Sequence, residues 1–334
     1  MKTITFFNNK GGVGKTTLVY HMAWMASELG CNVLAVDLDP QANLTAMLLS
    51  DAEQESIWPE SGDNKSILAC VKPIIDGTGD IAETTPQRLT DRLHLIPGDL
   101  ALTLFEDRLS DAWPRCMDSD PAAFRVTTAF YRIIHEAAAT LNADVVFVDV
   151  GPNLGGINRA SLIASDHVVM PLTPGLFALQ GLRNLGPTLE TWRATWSKRM
   201  DSKPETLNIP IPSGRMSPIG YVIMQHVDRR NRPVKAYQQW INRMPSAYQT
   251  HVMKHGSVAT GVEEDPNCIG FVKNYQSLMP MAEDARKPIF KLTAADGAIG
   301  AHAVAVSKCY LDFKRLTNET LCRAGIDSEH KGSS

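Results

Sequence analysis

Short apolar runs alternate with segments of helical periodicity along most of the chain. This alternation is typical of βαβ units, in which helices cover both faces of a parallel sheet. We therefore predict an α/β fold with a doubly wound, mostly parallel sheet. The predicted strands are 2–7, 33–37, 92–97, 145–150, 168–171 and 219–224. The predicted helices are 18–29, a segment that ends at 109, 124–141, 179–196, 231–253 with a break near Pro245, and 298–321.

Three stretches interrupt this pattern with polar residues or prolines. We expect these stretches to be surface loops, inserted near residues 50–65, 111–121 and 197–218. No internal repeat at a fixed period is evident, so the pattern favours one domain rather than a duplicated one. We predict a single domain over residues 1–325 and a polar, disordered tail over residues 326–334.

A glycine-rich turn joins the first predicted strand to the first predicted helix, and it reads NNKGGVGKTT from Asn8 to Thr17. Glycines in such a turn allow successive backbone N–H groups to point at phosphate oxygens, and the helix that follows adds its N-terminal dipole. Lys15 would reach the β- and γ-phosphates, and Thr16 would offer a hydroxyl to Mg²⁺. We therefore predict a nucleotide site. Its residues are Lys10, Gly11, Gly12, Val13, Gly14, Lys15, Thr16 and Thr17.

The turn departs from the general GxxxxGK[ST] pattern, because Asn9 replaces the first glycine and Lys10 adds a second lysine. The form KGGVGKTT resembles the deviant Walker motif of the ParA/MinD family of ATPases. Three later segments are similar to that family in the same order. They are DLDPQANL at 37–44, FVDVGP at 147–152 and HVVMPLTPGLFALQG at 167–181.

The resemblance favours the ParA branch of this family and thins after about residue 190. The printed sequence ends without the basic amphipathic helix of MinD-type relatives, so we expect no membrane contact. Residues 150–160 contain no cysteine, whereas iron–sulfur reductase relatives need one there.

The resemblance implies ATP and Mg²⁺ as cofactors and assigns roles to several residues. Lys10 would reach the nucleotide of the partner subunit in an ATP-dependent homodimer. Asp149 would hold Mg²⁺ through water, Asp37 would support the same shell, and Asp39 would orient the attacking water. Gly151 stands where the family has a proline, and it lacks that residue's fixed φ, so we expect a looser backbone after Asp149.

ParA-type relatives use ATP hydrolysis, stimulated by a ParB-like adaptor, to distribute DNA or protein cargo over the nucleoid. The net charge of −3 does not indicate nucleic-acid binding, so binding to double-stranded DNA would need a local basic patch. The candidate residues are Arg229, Arg230, Arg232 and Lys235, together with Lys273 in a segment that loosely matches the family's DNA-contacting tail. Gln276 stands where relatives carry a further arginine, which weakens that match.

Composition changes this picture little. The chain is 44% hydrophobic and 21% charged, which is ordinary for a globular protein. Its six cysteines form no CxxC pair, so we expect reduced thiols. No signal segment precedes the first strand, and no apolar run is long enough to span a bilayer. We expect a cytoplasmic, nucleoid-associated protein.

Two other classes of function stay open. The protein could be a nucleotide-dependent scaffold or regulator, for instance in a mobile element or a defence system, whose output is a protein contact without DNA binding. It could also be a metabolic kinase or ligase, which would need a small-molecule pocket with its own acid–base groups. No such groups stand out in the sequence.

Overall fold

The computed structural model describes residues 1–59, 64–226, 235–275 and 277–327, with the backbone alone at 225, 226 and 235–237. Its strands in chain order are β1 (Lys2–Phe6), β2 (Val33–Asp37), β3 (Gln87–Arg88), β4 (Leu93–Ile96), β5 (Val145–Asp149), β6 (His167–Leu172), β7 (Ser217–His226) and β8 (Cys268–Lys273). Within the described residues they form one sheet in the order β3-β4-β2-β5-β1-β6-β7-β8.

The paired strands of this sheet run parallel, except that β3 is antiparallel to β4. β1 lies between β5 and β6, so the chain builds one half of the sheet on each side of it. The register pairs Asp149 at the end of β5 with both Phe6 and Asp37. The carboxyl ends of β1, β2 and β5 therefore meet at one edge, at the point where open α/β sheets bind ligands.

Helices cover both faces of the sheet. They are α1 (Lys15–Glu28), α2 (Asn43–Leu48), α3 (Asp51–Ile57), α4 (Ile67–Asp76), α5 (Leu104–Arg115), α6 (Pro121–Thr127), α7 (Ala129–Thr140), α8 (Gly156–Ile163), α9 (Leu176–Asp201), α10 (Lys235–Ile241), α11 (Met244–Tyr248), α12 (Met279–Ala285) and α13 (Ala301–Arg323). No described helix combines the length and the apolar character that a membrane crossing requires.

Each face of the sheet carries its own hydrophobic core. Val146 and Val148 of β5 pack in the core beneath α4 to α9, whereas Val145 and Phe147 pack in the core beneath α1, α12 and α13. Successive strand residues point to opposite faces, so a strand buried on both sides is apolar throughout. The predicted doubly wound α/β fold is confirmed.

The predicted loop at 50–65 was wrong in its first half, because α3 occupies Asp51–Ile57. Its first turn is closed by a capping box, in which the Glu53 N–H donates to Ser50 Oγ at 3.3 Å and the Ser50 N–H donates to Glu53 Oε2 at 2.6 Å. The sequence carried this signal in the spacing Ser50-x-x-Glu53. Residues 60–63 lie outside the described residues.

The predicted loop at 111–121 was also wrong. Helix α5 continues to Arg115, and a 3₁₀ turn, Cys116–Asp118, follows it. Pro121 begins α6, where a proline is favourable because the first helical N–H has no partner within the helix. The predicted loop at 197–218 begins later than expected, since α9 ends at Asp201. Single-domain organisation stays a prediction, and residues 328–334 lie outside the described residues.

Candidate nucleotide-binding site

The glycine-rich turn between β1 and α1 has the backbone conformation that its sequence requires. Gly12 has φ 69° and Gly14 has φ 85°, in the left-handed region that side chains disfavour. Gly14 is the N-cap of α1, and neither a side-chain cap nor an acidic residue occupies the first turn. The N–H groups at the start of the helix are therefore available to an external anion.

Asn8 fixes the start of this turn. Its side-chain amide donates to the Pro171 carbonyl at the end of β6 over 2.7 Å, and its Oδ1 accepts the Lys10 N–H at 2.9 Å. α9 also packs closely on the turn, because a Cβ on Gly181 would lie 3.3 Å from Asn9 Oδ1. The turn is thus attached to β6 and α9 as well as to its own strand. Sequence reasoning gave Asn8 no role.

Lys15 is a buried cation at the end of the turn, with 6% of its surface exposed. Burial lowers the pKa of its ammonium group, and the carboxylates of Asp149 and Asp39 oppose that shift. A charge in such a position is costly unless it has an anionic partner. Lys15 therefore lies within electrostatic range of Asp39 and Asp149.

Asp149 ends β5 and is completely buried. Burial raises the pKa of its carboxyl group, and so does the neighbouring Asp37, whereas the Thr16 hydroxyl and Lys15 act in the opposite direction. Neither carboxylate oxygen has a hydrogen-bond donor at bonding geometry in the described structure. A buried carboxylate without a donor fits a position beside a bound cation.

A cation here would need ligands from outside the protein. Among the described residues, no group of three or more His, Cys, Asp or Glu side chains could hold a metal ion by itself. The Thr16 hydroxyl and the Asp149 carboxylate are oxygen donors of the kind that Mg²⁺ prefers, and Mg²⁺ commonly completes its shell with phosphate oxygens and water. These residues fit an ion that enters with a nucleotide.

Asp37 is also buried, but its oxygens already have partners. Oδ2 accepts the N–H and the hydroxyl of Thr45 at 2.8 and 2.7 Å, and Oδ1 accepts the Asp39 N–H at 3.2 Å. Burial raises its pKa, against these hydrogen bonds from Thr45. Asp37 therefore anchors α2 to the end of β2, and its predicted role in the metal shell stays a prediction.

Thr45 and Gly98 complete this anchor, and sequence reasoning identified neither. The Gly98 N–H donates to Thr45 Oγ1 at 2.8 Å. A Cβ at position 98 would lie 2.8 Å from Asp37 Cγ, a distance that real side chains do not tolerate. The glycine is needed because β4 ends against the Asp37 carboxylate.

Asp39 faces the cleft and is 7% exposed. Its Oδ1 accepts the Gln41 N–H at 3.0 Å, which forms an Asx-type turn around Pro40. Gly151 lies close by, since a Cβ there would be 3.2 Å from Asp39 Oδ1. The carboxylate is therefore held between its own turn and the loop that follows Asp149.

We expected Gly151 to loosen that loop, but Asn158 restrains it. The buried Asn158 amide donates to the carbonyls of Gly151 and Asn153, both at 2.7 Å. Glu106 of α5 accepts the N–H groups of Gly156 and Ile157 at the start of α8. Side chains from two helices thus provide the restraint that a proline at position 151 would otherwise give.

A cleft of about 620 Å³ opens above the phosphate loop. Arg286 lines this cleft, and its guanidinium donates to the Leu49 carbonyl and to Asp51, both at 2.7 Å. This contact joins the segment after α12 to the start of α3. Much of the remaining lining comes from α1, α2 and the α12 region, with Gln41 and Pro152 from loops. It includes Thr17, Tyr20, His21, Asn43, Ala46, Met47, Met279, Ala282, Glu283 and Lys287.

The predicted DNA-binding residues are only partly described. Arg229, Arg230 and Arg232 lie outside the described residues, as does Gln276, and Lys235 is described by its backbone alone. Lys273, at the end of β8, has its Nζ 3.4 Å from Asp312 Oδ2. Its charge is therefore paired within the chain.

Comparison with known proteins gives a family match over the part of the chain that carries the phosphate loop. The family described as "AAA domain" (AAA_31) matches residues 1–202. The chain is 30% identical to the chromosome-partitioning ATPase Soj of Thermus thermophilus over 200 residues, which are 60% of this chain and 66% of Soj. The alignments span 42% to 66% of the length of the first five curated relatives.

Solved structures show that the similarity of the fold covers most of the chain. A protein from Corynebacterium diphtheriae has a TM-score of 0.65 and 27% identity, covering 86% of this chain and 97% of its own. An ATP complex of McdA from Cyanothece has a TM-score of 0.61 at 14% identity, covering 98% of this chain and 97% of McdA, which indicates a shared fold alone. Since the family match covers more than half of the sequence, the chain belongs to the ParA/MinD family of P-loop ATPases.

Proposed function

We propose that the protein binds ATP with Mg²⁺ and hydrolyses it to ADP and phosphate. The observation that carries this proposal is the juxtaposition of the buried Lys15 ammonium with Asp149, whose carboxylate has no donor at bonding geometry in the described structure. A triphosphate would give the lysine its anion, and its metal ion would give the carboxylate its cation. Each buried charge would then have a partner.

The proposed reaction needs little covalent chemistry from the protein. A water molecule attacks the γ-phosphorus, and the bond to the oxygen that bridges the β- and γ-phosphates breaks. Thr16 and Asp149 would hold Mg²⁺, which neutralises phosphate charge when bound. Asp39 would orient the water, from its position on the wall of the cleft. Positioning and charge neutralisation are the main requirements of phosphoryl transfer.

An assay of phosphate release tests this proposal. We expect slow, Mg²⁺-dependent turnover by the purified protein, and faster turnover when double-stranded DNA and the product of an adjacent adaptor gene are added. EDTA should stop the reaction in every case. Absence of turnover in all combinations, with ATP shown to be bound, would assign the protein to the scaffold class.

We further propose that ATP brings two copies together through the face that carries the phosphate loop. Lys10 is exposed, and it is not among the residues that line the cleft of its own chain. An exposed lysine at the entrance of the phosphate loop could instead reach a nucleotide bound by a second copy. In a dimer closed over two ATP molecules, it would neutralise phosphate charge in the partner with little solvent screening.

The name of the relative Soj associates it with chromosome partitioning. By that likeness we propose that this chain partitions or positions DNA or protein cargo. The chain would bind nucleoid DNA without sequence preference, and a ParB-like adaptor would stimulate its ATP hydrolysis. The basic run at 229–235 would supply the DNA contacts. A dimer presents this run twice, so the ATP-bound form should bind DNA more tightly than the monomer.

DNA binding should depend steeply on salt. Log affinity falls as log salt concentration rises, and each phosphate neutralised adds roughly 0.9 to the steepness of that fall. Replacing Arg229, Arg230 and Arg232 with Ala should therefore make this slope less steep, by up to about 2.7 for each protomer, without loss of the ATP-dependent dimer. Fluorescence anisotropy with labelled duplexes over a salt series measures this.

The matched control is Arg88→Ala, on β3 at the sheet edge opposite β8. This change should leave the slope as in wild type. If the ATP-bound dimer fails to retard DNA even at low salt, the partitioning proposal is wrong and the scaffold alternative replaces it.

A further inference from the structure

The first turn of α9 presents a phenyl ring to solvent beside the phosphate loop. Phe177 is 70% exposed, and the preceding Leu176 is 51% exposed. Lys10 Nζ lies 5.6 Å from the centre of the Phe177 ring. This distance is within the range in which an ammonium group is attracted by the face of an aromatic ring.

The backbone beneath this contact is held rigidly on both sides. Asn8 joins the Lys10 N–H to the Pro171 carbonyl, and the close approach of Gly181 to Asn9 fixes α9 against the turn. The base of the lysine and the helix that carries the ring are therefore fixed relative to each other. What stays variable is the four-carbon chain of the lysine, which has many rotamers when no partner restrains it.

We propose that Phe177 is a positioning residue for Lys10. The ring holds the ammonium beside the exposed first turn of α9, in the place from which a second copy can receive it. The inference rests on the proposed function, in which Lys10 acts on the partner's nucleotide. Closure of a dimer over this face would remove water from the ring, and cation–π attraction is stronger when desolvated.

A purely apolar role for Phe177 makes different predictions. An apolar contact would survive replacement by Leu and would be weakened equally by shortening Leu176. A cation–π contact needs the aromatic face, so Tyr should replace Phe and Leu should not. The comparison of Phe177→Tyr with Phe177→Leu therefore tests the ring itself, with little change in side-chain volume.

The experiment is a double-mutant cycle on ATP-dependent dimerisation, measured by sedimentation with ATP and Mg²⁺. We expect Phe177→Leu to weaken the dimer by about two- to five-fold, Phe177→Tyr to match wild type, and Leu176→Ala to change it less than Phe177→Leu does. In a Lys10→Ala background, Phe177→Leu should have no further effect. ATP affinity of the monomer should be unchanged in all Phe177 variants.

The outcomes separate the inference from the proposed function. If Lys10→Ala forms a normal ATP-dependent dimer and hydrolyses ATP at the wild-type rate, the trans role of Lys10 is wrong. If Lys10→Ala weakens the dimer but Phe177→Leu matches wild type, only the positioning role is wrong. The positioning role is also wrong if Phe177→Leu weakens the dimer equally with and without Lys10. It is wrong as well if Leu176→Ala weakens the dimer as much as Phe177→Leu does.

Discussion

Lys15→Ala is expected to abolish measurable ATP binding at micromolar protein concentration. The ammonium is buried at the end of the phosphate loop, where solvent screens it little. Removing one member of a buried, hydrogen-bonded charge pair costs about 2–5 kcal/mol, which corresponds to roughly a 30- to 5,000-fold loss of affinity. Isothermal titration calorimetry with ATP and Mg²⁺ measures the change directly.

Lys72→Ala provides the matched control, because the Lys72 side chain is 64% exposed and forms only a surface ion pair with Asp76. That variant should bind ATP as wild type does. A thermal melt should show that Lys15→Ala remains folded. If the folded Lys15→Ala variant binds ATP as tightly as wild type, the phosphate-loop assignment is wrong.

Local patterns predicted the elements that carry the site. The run Val145–Asp149 is apolar on both faces and ends in a carboxylate, as expected for a strand between two helix layers. Gly12 and Gly14 of the phosphate loop lie where positive φ values require glycine. Because β2 and β5 are parallel neighbours, their terminal Asp37 and Asp149 lie side by side, and the sequence indicated both strand ends.

Short-range signals were sometimes present but read wrongly. The polar composition around Ser50 suggested a loop, yet the capping box formed with Glu53 starts α3. Pro121 suggested a second loop, although proline is favourable at the first position of a helix. In both cases the residues that begin a helix are of the types that also occur in loops. β3 and β8 were missed as strands, β3 because it has only two residues.

The contacts that hold the site together could not be predicted, because they join segments far apart in the chain. The need for glycine at position 98 comes from its packing against Asp37. Arg286 bonds to Asp51 only because the end of α12 lies near the start of α3. Asn158 restrains the loop after Asp149 by donating to backbone carbonyls. Every residue has such a carbonyl, so the sequence does not show which ones Asn158 contacts. Burial and tertiary packing create these roles, and no local spacing encodes them.

Asp39→Ala is expected to separate ATP binding from hydrolysis. Asp39 lies on the cleft wall and is not part of the phosphate loop, so ATP affinity should stay near that of wild type. Loss of a group that orients the attacking water typically lowers kcat by about 10²- to 10⁴-fold. With slow turnover, the ATP-bound dimer should accumulate, and light scattering after addition of ATP and Mg²⁺ should show it persisting for longer than in wild type.

Asp39→Asn distinguishes the carboxylate charge from the turn that it supports. An amide oxygen can still accept the Gln41 N–H, and the side chain occupies the same space beside Gly151. If the charge orients water, Asp39→Asn should lose turnover as severely as Asp39→Ala. If Asp39→Asn instead restores the wild-type rate, the carboxylate serves only the Asx-type turn, and the water-orienting group must be sought in the loop that follows Asp149. That loop approaches Asp39 at Gly151, so a group on it would reach the same region of the cleft.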